Sequence, residues 1–340
     1  MQLWQYIARR IVLAVPLIIS ITLLAFIVSH LIPADPLGMV LSERAMNNPE
    51  IVQAYRARWG LDRPLHEQYL VYIWRLFQGD LGDSIATQRP VRDDLAQFLP
   101  ATLELSAAAM LFSTLIGIPL GVLAAIYRDS WVDHLTRVIS LIGVSVPVFW
   151  LGLLLLNAFY FHLRWLPGPG RLDPHMSPPQ TVTGLMTMDS VLAGDWAALI
   201  SSLRHLFLPA LVLGSYTMGA VSRMTRSSLL EVLAQDYVRT ARAKGLREWL
   251  VIMRHALRNA LIPTITVIGL AFGDLMSGAV LTETIFSWPG IGRYAVLAAS
   301  YLDLQAIMGV TITIATVYII VNLAVDITYA LIDPRIRIGA

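Results

Sequence analysis

The stretch LSAAAMLFSTLIGIPLGVLAAIY, Leu105 to Tyr127, runs for 23 residues without Asp, Glu, Lys or Arg. A bilayer core of about 30 Å needs roughly 20 apolar residues as a helix, because backbone polar groups find no water there and must pair internally. The stretch therefore reads as a membrane span. Five others share its character: Ile11 to Ile32 (22 residues), Val138 to Phe161 (24), Leu206 to Ser222 (17), Leu304 to Val325 (22), and Asn259 to Thr282 (24, interrupted only by Asp274). The sequence predicts an all-α polytopic membrane protein with six transmembrane helices. Its composition agrees, with 56% hydrophobic and only 14% charged residues, where a soluble domain carries about a quarter charged. The lack of cysteine excludes disulfide scaffolds, thiolate metal sites, Cys nucleophiles and iron–sulfur clusters. A net charge of +2 is too small to suggest nucleic acid as a partner.

Arg9 and Arg10 before the first span resemble the start of a signal peptide, but the apolar run is too long for one. Its far end, His30-Leu-Ile-Pro33-Ala-Asp35-Pro36, lacks a small-x-small cleavage pattern, so the span is read as retained. With the N-terminus inside, the short cytoplasmic pieces carry 14 Lys and Arg against 11 over roughly twice the length outside, which places both termini in the cytoplasm. The chain then divides into an N-terminal span (1–32), an external helical cap (33–103) and a core of five spans (104–340). The core holds an external loop (163–204) and a cytoplasmic loop (223–258). In the cap, Asp62-Arg63-Pro64 leads into Leu65, Tyr69, Tyr72 and Leu76, an amphipathic helical face. No internal repeat is apparent.

The cytoplasmic loop concentrates charge and helix punctuation. Ser228-Leu-Leu-Glu231 has capping-box spacing and predicts a helix start. That helix would run through Asp236 and Arg239 to Lys244 and stop at Gly245, which tolerates the left-handed conformation helix ends prefer. A second helix would run from Arg247 to about Leu257. Two short helices joined at a glycine make a stiff elbow offering Arg239, Arg242, Lys244 and Arg247 to a partner. The competing reading is a solvated basic loop that merely obeys the positive-inside rule.

Arg239-Thr240-Ala241-x3-Gly245, succeeded after nine residues by His255-Ala256-Leu257, resembles the EAA loop of permease subunits in ATP-binding-cassette importers. Arg239 and Thr240 depart from the general pattern Glu-Ala-Ala-x3-Gly, as do His255 and Arg258 further on. In these departures the chain is similar to the peptide-importer branch, through DYVRTARAKGL (from Asp236) and HALRNALIP (from His255). The same branch is matched by LTETIFSWPGIGR (from Leu281), GDLGDS (from Gly79) and NLAVDITYALIDPRIR (from Asn322). The resemblance covers essentially the whole chain.

It implies a type I importer permease fold in a bacterial inner membrane, translocating dipeptides or short oligopeptides by alternating access. It implies as partners a second permease subunit, two cytoplasmic ATPase subunits and an external substrate-binding protein. Asp236, Arg239, Thr240, Ala241, Arg242, Lys244, Gly245 and His255 would form the ATPase-coupling site. ATP and Mg would be bound by the partners, with no cofactor or metal in this chain. The sequence has no GxxxxGK[ST] phosphate loop, and Lys244 is its only lysine. Nickel chelates, haem, glutathione or antimicrobial peptides are the alternative cargoes, since these motifs report coupling and not cargo.

Asp274, Glu283 and Asp326 lie in or near spans, where a central carboxylate costs roughly 2.5–3.5 kcal/mol. They are candidates for a substrate path or gate, against the plainer reading of solvated or interface acids. A membrane enzyme using Asp274 and Glu283 as an acid/base pair is disfavoured. Nine residues on a helix mean about 900° of rotation and about 13.5 Å of rise, so the two cannot meet. Gly117-x3-Gly121 and Gly269-x3-Gly273 permit close helix approach, with static packing preferred over motion at a subunit interface. Pro119, Pro147, Pro209 and Pro263 are expected to kink or border spans.

Overall fold

The computed structural model describes residues 3–31, 43–59 and 62–332. The elements are α1 (Leu3–Leu31), α2 (Glu43–Met46), α3 (Pro49–Trp59), α4 (Leu65–Phe77), α5 (Val91–Ile126), α6 (Trp131–Ser145) and α7 (Val148–Leu155), which continues as a π-helix over Leu156–His162. Then come α8 (Met186–Leu192), α9 (Trp196–Leu233), α10 (Asp236–Ala243) and α11 (Glu248–Leu250). A π-helical turn, Val251–Ala256, joins α11 to α12 (Leu257–Ile285), and α13 (Ile291–Ser300) and α14 (Leu304–Ile332) complete the order.

Among the described residues, four helical bodies are long and apolar enough to cross a membrane: Val91–Ile126, Trp196–Leu233, Glu248–Ile285 and Leu304–Val325. The α6–α7 pair counts as a fifth if taken as one span, and α1 adds the shorter apolar run Val12–Val28.

At the span expected from Val138 to Phe161 the helix is broken at Pro147. It is two helices bent by 105°. Pro147 disfavours helical backbone at the residue before it, and Val146 is extended at φ −80°, ψ 125°. Pro119, Pro209 and Pro263 lie inside α5, α9 and α12 instead. The helices also outrun the charge-free stretches. α9 is 38 residues long, about 57 Å at 1.5 Å per residue, so its ends stand clear of the hydrocarbon. α5 begins at Val91, inside the segment assigned to the external cap.

α9 is the central post, buried along most of its length against α5, α6 and α12. Small residues let the backbones touch. A Cβ on Gly219 would meet the Ser140 carbonyl at 2.5 Å, and one on Gly121 would meet the Ser222 carbonyl at 2.6 Å. The Gly117–Gly121 face thus packs within the chain, and Gly269 and Gly273 likewise face Val325 and Tyr318 of α14. Near the start of α6, Asp133 is fully buried and accepts two hydrogen bonds from Arg226 of α9, both at 2.8 Å. That bidentate pair pins α6 to α9.

At the other end of the bundle, the GDLGDS turn is stapled to α13 and α14 by two buried carboxylates. Asp303 accepts from Ser84 Oγ at 2.6 Å and from the amide of Ala86, while its other oxygen takes the Ala306 amide in the first turn of α14. Asp94 accepts from Thr87 Oγ1 and, at 3.1 Å, from the Tyr294 hydroxyl. The segment after the π-helix is tied down as well, through Arg171 to Glu104 and through the Thr187 amide to Glu104 Oε1 at 2.7 Å.

Candidate functional site

The elbow expected at 228–257 exists, with different limbs. Ser228 and Glu231 do not start a helix. α9 runs on through both to Leu233, because Leu229 is fully buried beneath the loop and Arg226, one turn earlier, is held by Asp133. The first limb is α10, which starts at Asp236 after a turn at Ala234 and Gln235. It ends as expected: Lys244 is the cap residue, and Gly245 comes next at φ +76° with its amide donating to the Arg242 carbonyl at 2.9 Å.

The second limb is not a separate short helix. α11, the π turn and α12 form one helical body from Glu248 to Ile285. The limb is therefore the foot of a membrane-crossing helix.

The elbow is fixed from beneath and braced from the side. Val238 and Ala241 of α10 are buried against Leu229, Val251, Ala256 and Ala260, with Ala125 of α5. Across the glycine, Arg242 donates to Glu248 at 2.7 and 3.1 Å. Those hydrogen bonds raise the Arg242 guanidinium above its ordinary range. The pair is solvent-exposed, so it orients the limbs more than it stabilises them, being worth ~0.2–1 kcal/mol. Asn259 Nδ2 donates to the Tyr237 hydroxyl at 2.8 Å, tying α10 to α12.

Of the residues expected to couple, Asp236, Arg239, Thr240, Arg242, Lys244 and Gly245 lie on the outer surface of the elbow. Thr240 spends its hydroxyl on the Asp236 carbonyl. Ala241 packs inward, and His255 is half-buried in the π turn behind the elbow.

Sequence reasoning missed the apolar members of this surface. Tyr237, Leu246, Trp249, Leu250 and Met253 are all exposed, Trp249 at 65%, among Arg239, Lys244 and Arg247. A signal was present in Leu246, Trp249, Leu250 and Met253, which recur at helical spacing directly after the glycine. It was masked because the same residues also read as the approach to a span. An exposed apolar group rimmed by charges is the composition of a protein-docking surface.

The three intramembrane acids part company. Asp274 is exposed on α12 and has no hydrogen-bond or ion-pair partner among the described residues. It shares one helical face with Leu270, Ser277, Gly278, Leu281 and Thr284, all exposed. Glu283 is fully buried. Its Oε1 accepts from Thr102 Oγ1 at 2.6 Å and its Oε2 from the Arg293 amide at 2.9 Å, with the Gly292 amide as a further donor. It thereby caps the N-terminus of α13 and ties it to α5. Thr102 Oγ1 in turn accepts from the Ile291 amide at 2.8 Å, and Trp288 Nε1 donates to the Ala101 carbonyl at 2.8 Å. Asp326 lies on α14, and its side chain falls outside the described residues.

A family model described as "Binding-protein-dependent transport system inner membrane component" matches residues 117–338. A companion model of the N-terminal region of such membrane components matches residues 3–106. The chain is 48% identical over 339 residues to a probable D,D-dipeptide transport system permease protein of Escherichia coli K12, covering 100% of this chain and 99% of the relative. It is 47% identical to a di/tripeptide transport system permease protein of Pseudomonas aeruginosa, with 98% of each chain covered. Against the dipeptide transport system permease protein of Escherichia coli K12 the identity is 45%, again with 98% of each covered.

Proposed function

Because the chain belongs to the binding-protein-dependent transport system inner membrane component family, we propose that its cytoplasmic elbow is the surface through which a separate ATPase drives transport. The chain is a non-catalytic permease subunit of a dipeptide importer in the bacterial inner membrane. It crosses the membrane six times with both termini in the cytoplasm, α1 supplying the first crossing and the bent α6–α7 pair the third. It pairs with a second permease to enclose the path, receives peptide from an external binding protein, and rests on two ATPase subunits.

One observation carries the coupling role: in the exposed cluster of Tyr237, Leu246, Trp249, Leu250 and Met253, rimmed by cations, the last three stand on a limb continuous with a membrane-crossing helix. An ATPase groove that takes this cluster moves α12 directly. Trp249 is the anchor by size and exposure. Trp249→Ala is expected to cost about 2 kcal/mol of docking, close to thirtyfold in affinity. Titration of purified ATPase onto the permease pair in nanodiscs measures it, and unchanged affinity overturns the docking surface.

Asp274 is the member of the acid set placed to meet substrate. Its carboxylate lies on an exposed face of a membrane-crossing helix, without a partner among the described residues, and has the charge to hold a peptide α-ammonium. Asp326 remains a candidate for the inner end of the path. In a strain lacking this permease and fed a dipeptide as its sole source of a required amino acid, the wild-type gene restores growth. Asp274→Asn is expected to reduce uptake about tenfold, the worth of a charge-assisted hydrogen bond, at normal protein abundance. Wild-type uptake by the variant removes Asp274 from the path, and failure of the wild-type gene to restore growth removes the dipeptide reading.

A further inference from the structure

α4 belongs to the segment expected to stand outside the membrane, yet its partners lie in the middle of a span. The Tyr69 hydroxyl donates to the Ile19 carbonyl at 3.1 Å and shares a hydrogen bond with Thr22 Oγ1 at 3.0 Å. The Tyr69 ring lies 5.3 Å from that of Phe26. Tyr72 is buried with Phe26 and Met308 of α14, flanked by Ile73 and Ile312.

Depth can be read from these contacts without reference to orientation. The charge-free stretch of α1 is Ile11 to Ile32. Ile19 stands about 12 Å from its start at Ile11, and Phe26 about 7.5 Å from Leu31 at the end of α1, at 1.5 Å per residue. Met308 and Ile312 lie about 6 and 12 Å along α14 from Leu304, consistent with the same level. A helix seated against these positions is below the bilayer surface.

The rest of α4 fits that depth. Leu70, Trp74 and Phe77, spaced i, i+4, i+7, form one stripe and are each at least 65% exposed. Glu67, Gln68 and Arg75 occupy the arc between this stripe and the buried side. Beside α4, α1 exposes Leu23, Leu24 and Ile27. Three large apolar side chains held at hydrocarbon depth beside an apolar helix face are matched by acyl chains. Glu67 and Arg75 lie at the edge of the apolar arc, where the charges of an interfacial helix meet headgroups and water.

We infer that α4 is an interfacial anchor sunk into one leaflet of the membrane, with Leu70, Trp74 and Phe77 among phospholipid acyl chains and Glu67 and Arg75 at headgroup level. Under the topology above, that leaflet is the external one. Lipid thereby holds α4 against α1 and α14, and the external segment starts from the membrane instead of standing free of it.

The absence of cysteine makes the test direct, since each introduced thiol is unique in this chain and can be labelled before it is assembled with its partners. Leu70→Cys, Trp74→Cys, Phe77→Cys, Glu67→Cys and Arg75→Cys are spin-labelled in the assembled permease. They are reconstituted in vesicles of phosphatidylethanolamine and phosphatidylglycerol, and relaxation by oxygen is compared with relaxation by a water-soluble nickel chelate. Labels at 70, 74 and 77 are expected to favour oxygen severalfold, and labels at 67 and 75 to favour nickel. Nickel preference at 74 and 77 overturns the inference in favour of a water-exposed cap, and loss of both relaxations there overturns it in favour of a protein partner. Reaction of the Glu67→Cys thiol with an impermeant maleimide from one side of the vesicle reports topology separately, so an error of sidedness is distinguished from an error of depth.

Discussion

Replacing Gly245 with proline is expected to abolish peptide uptake while leaving the permease inserted and the ATPases active. Gly245 holds φ +76°, and proline is locked near −65°, so the chain cannot leave α10 in its present direction. The substitution also deletes the amide that donates to Arg242. A bulky L-residue tests the same point more gently, since a left-handed backbone costs it roughly 1–2 kcal/mol. Beyond the glycine and its two chain neighbours, no atom of the described residues lies within 4 Å of where a Cβ at 245 would stand, so the penalty is conformational and not a clash.

The damage is local. Val238 and Ala241 keep α10 on the bundle, but Arg242 no longer reaches Glu248 and the exposed cluster splits between limbs that point apart. In proteoliposomes holding both permeases and the ATPases, hydrolysis is expected to continue, and peptide transported per ATP to fall at least tenfold. Wild-type stoichiometry in Gly245→Pro would falsify the elbow as the coupling element.

Glu283→Gln is expected to fail for a different reason. The carboxylate is an acceptor with donors on both oxygens: Thr102 Oγ1, the Arg293 amide and the Gly292 amide. A glutamine has one acceptor oxygen, and its NH2 would face one of those donors, leaving buried groups unpaired at about 1–3 kcal/mol each. A loss of about 3 kcal/mol, with lower steady-state abundance, is the expected result, and thermal unfolding of the purified permease measures it. Uptake per inserted molecule is expected to fall far less than abundance. Asp274→Asn is the mirror case, with uptake reduced and stability unchanged. If Glu283→Gln left stability intact and reduced uptake alone, Glu283 would return to the substrate path.

Most of the membrane architecture was legible in the sequence because a charge-free run of 17 to 24 residues has few other uses. Helix ends were not. Arg204, Arg223 and Arg226 stopped the count on α9, but a helix keeps going past the hydrocarbon when something packs against it, as Leu229 does below. Ser228 and Glu231 had the right spacing for a start and lost to that packing. The prolines were equally ambiguous. Pro119 stands on an exposed side of α5 whose Gly117 and Gly121 are seated on α9, and the helix survives. Pro147 ends a helix although Gly143, one turn before it, is seated on α9 in the same way.

At the elbow the glycine, the basic residues and the end of α10 could be read from spacing, whereas the helical spacing of Trp249 and its neighbours did not separate a docking surface from the approach to a span, because exposure is a property of the fold. The acids were hardest, since two carboxylates on one helix, Asp274 and Glu283, separate only through what surrounds them.

The π turn at Val251–Ala256 sets a rotation about the axis of the rod that begins at Glu248. A π turn holds about one residue more than an α turn, so everything beyond it is rotated by about 100° relative to an uninterrupted α-helix. That surplus residue fixes the azimuth of Asp274 relative to Trp249, some 25 residues away. The phase between the exposed cluster around Trp249 and the exposed face that carries Asp274 is thus written into six residues. Tightening them into α geometry would turn Asp274 toward a different neighbour without altering one residue of either site.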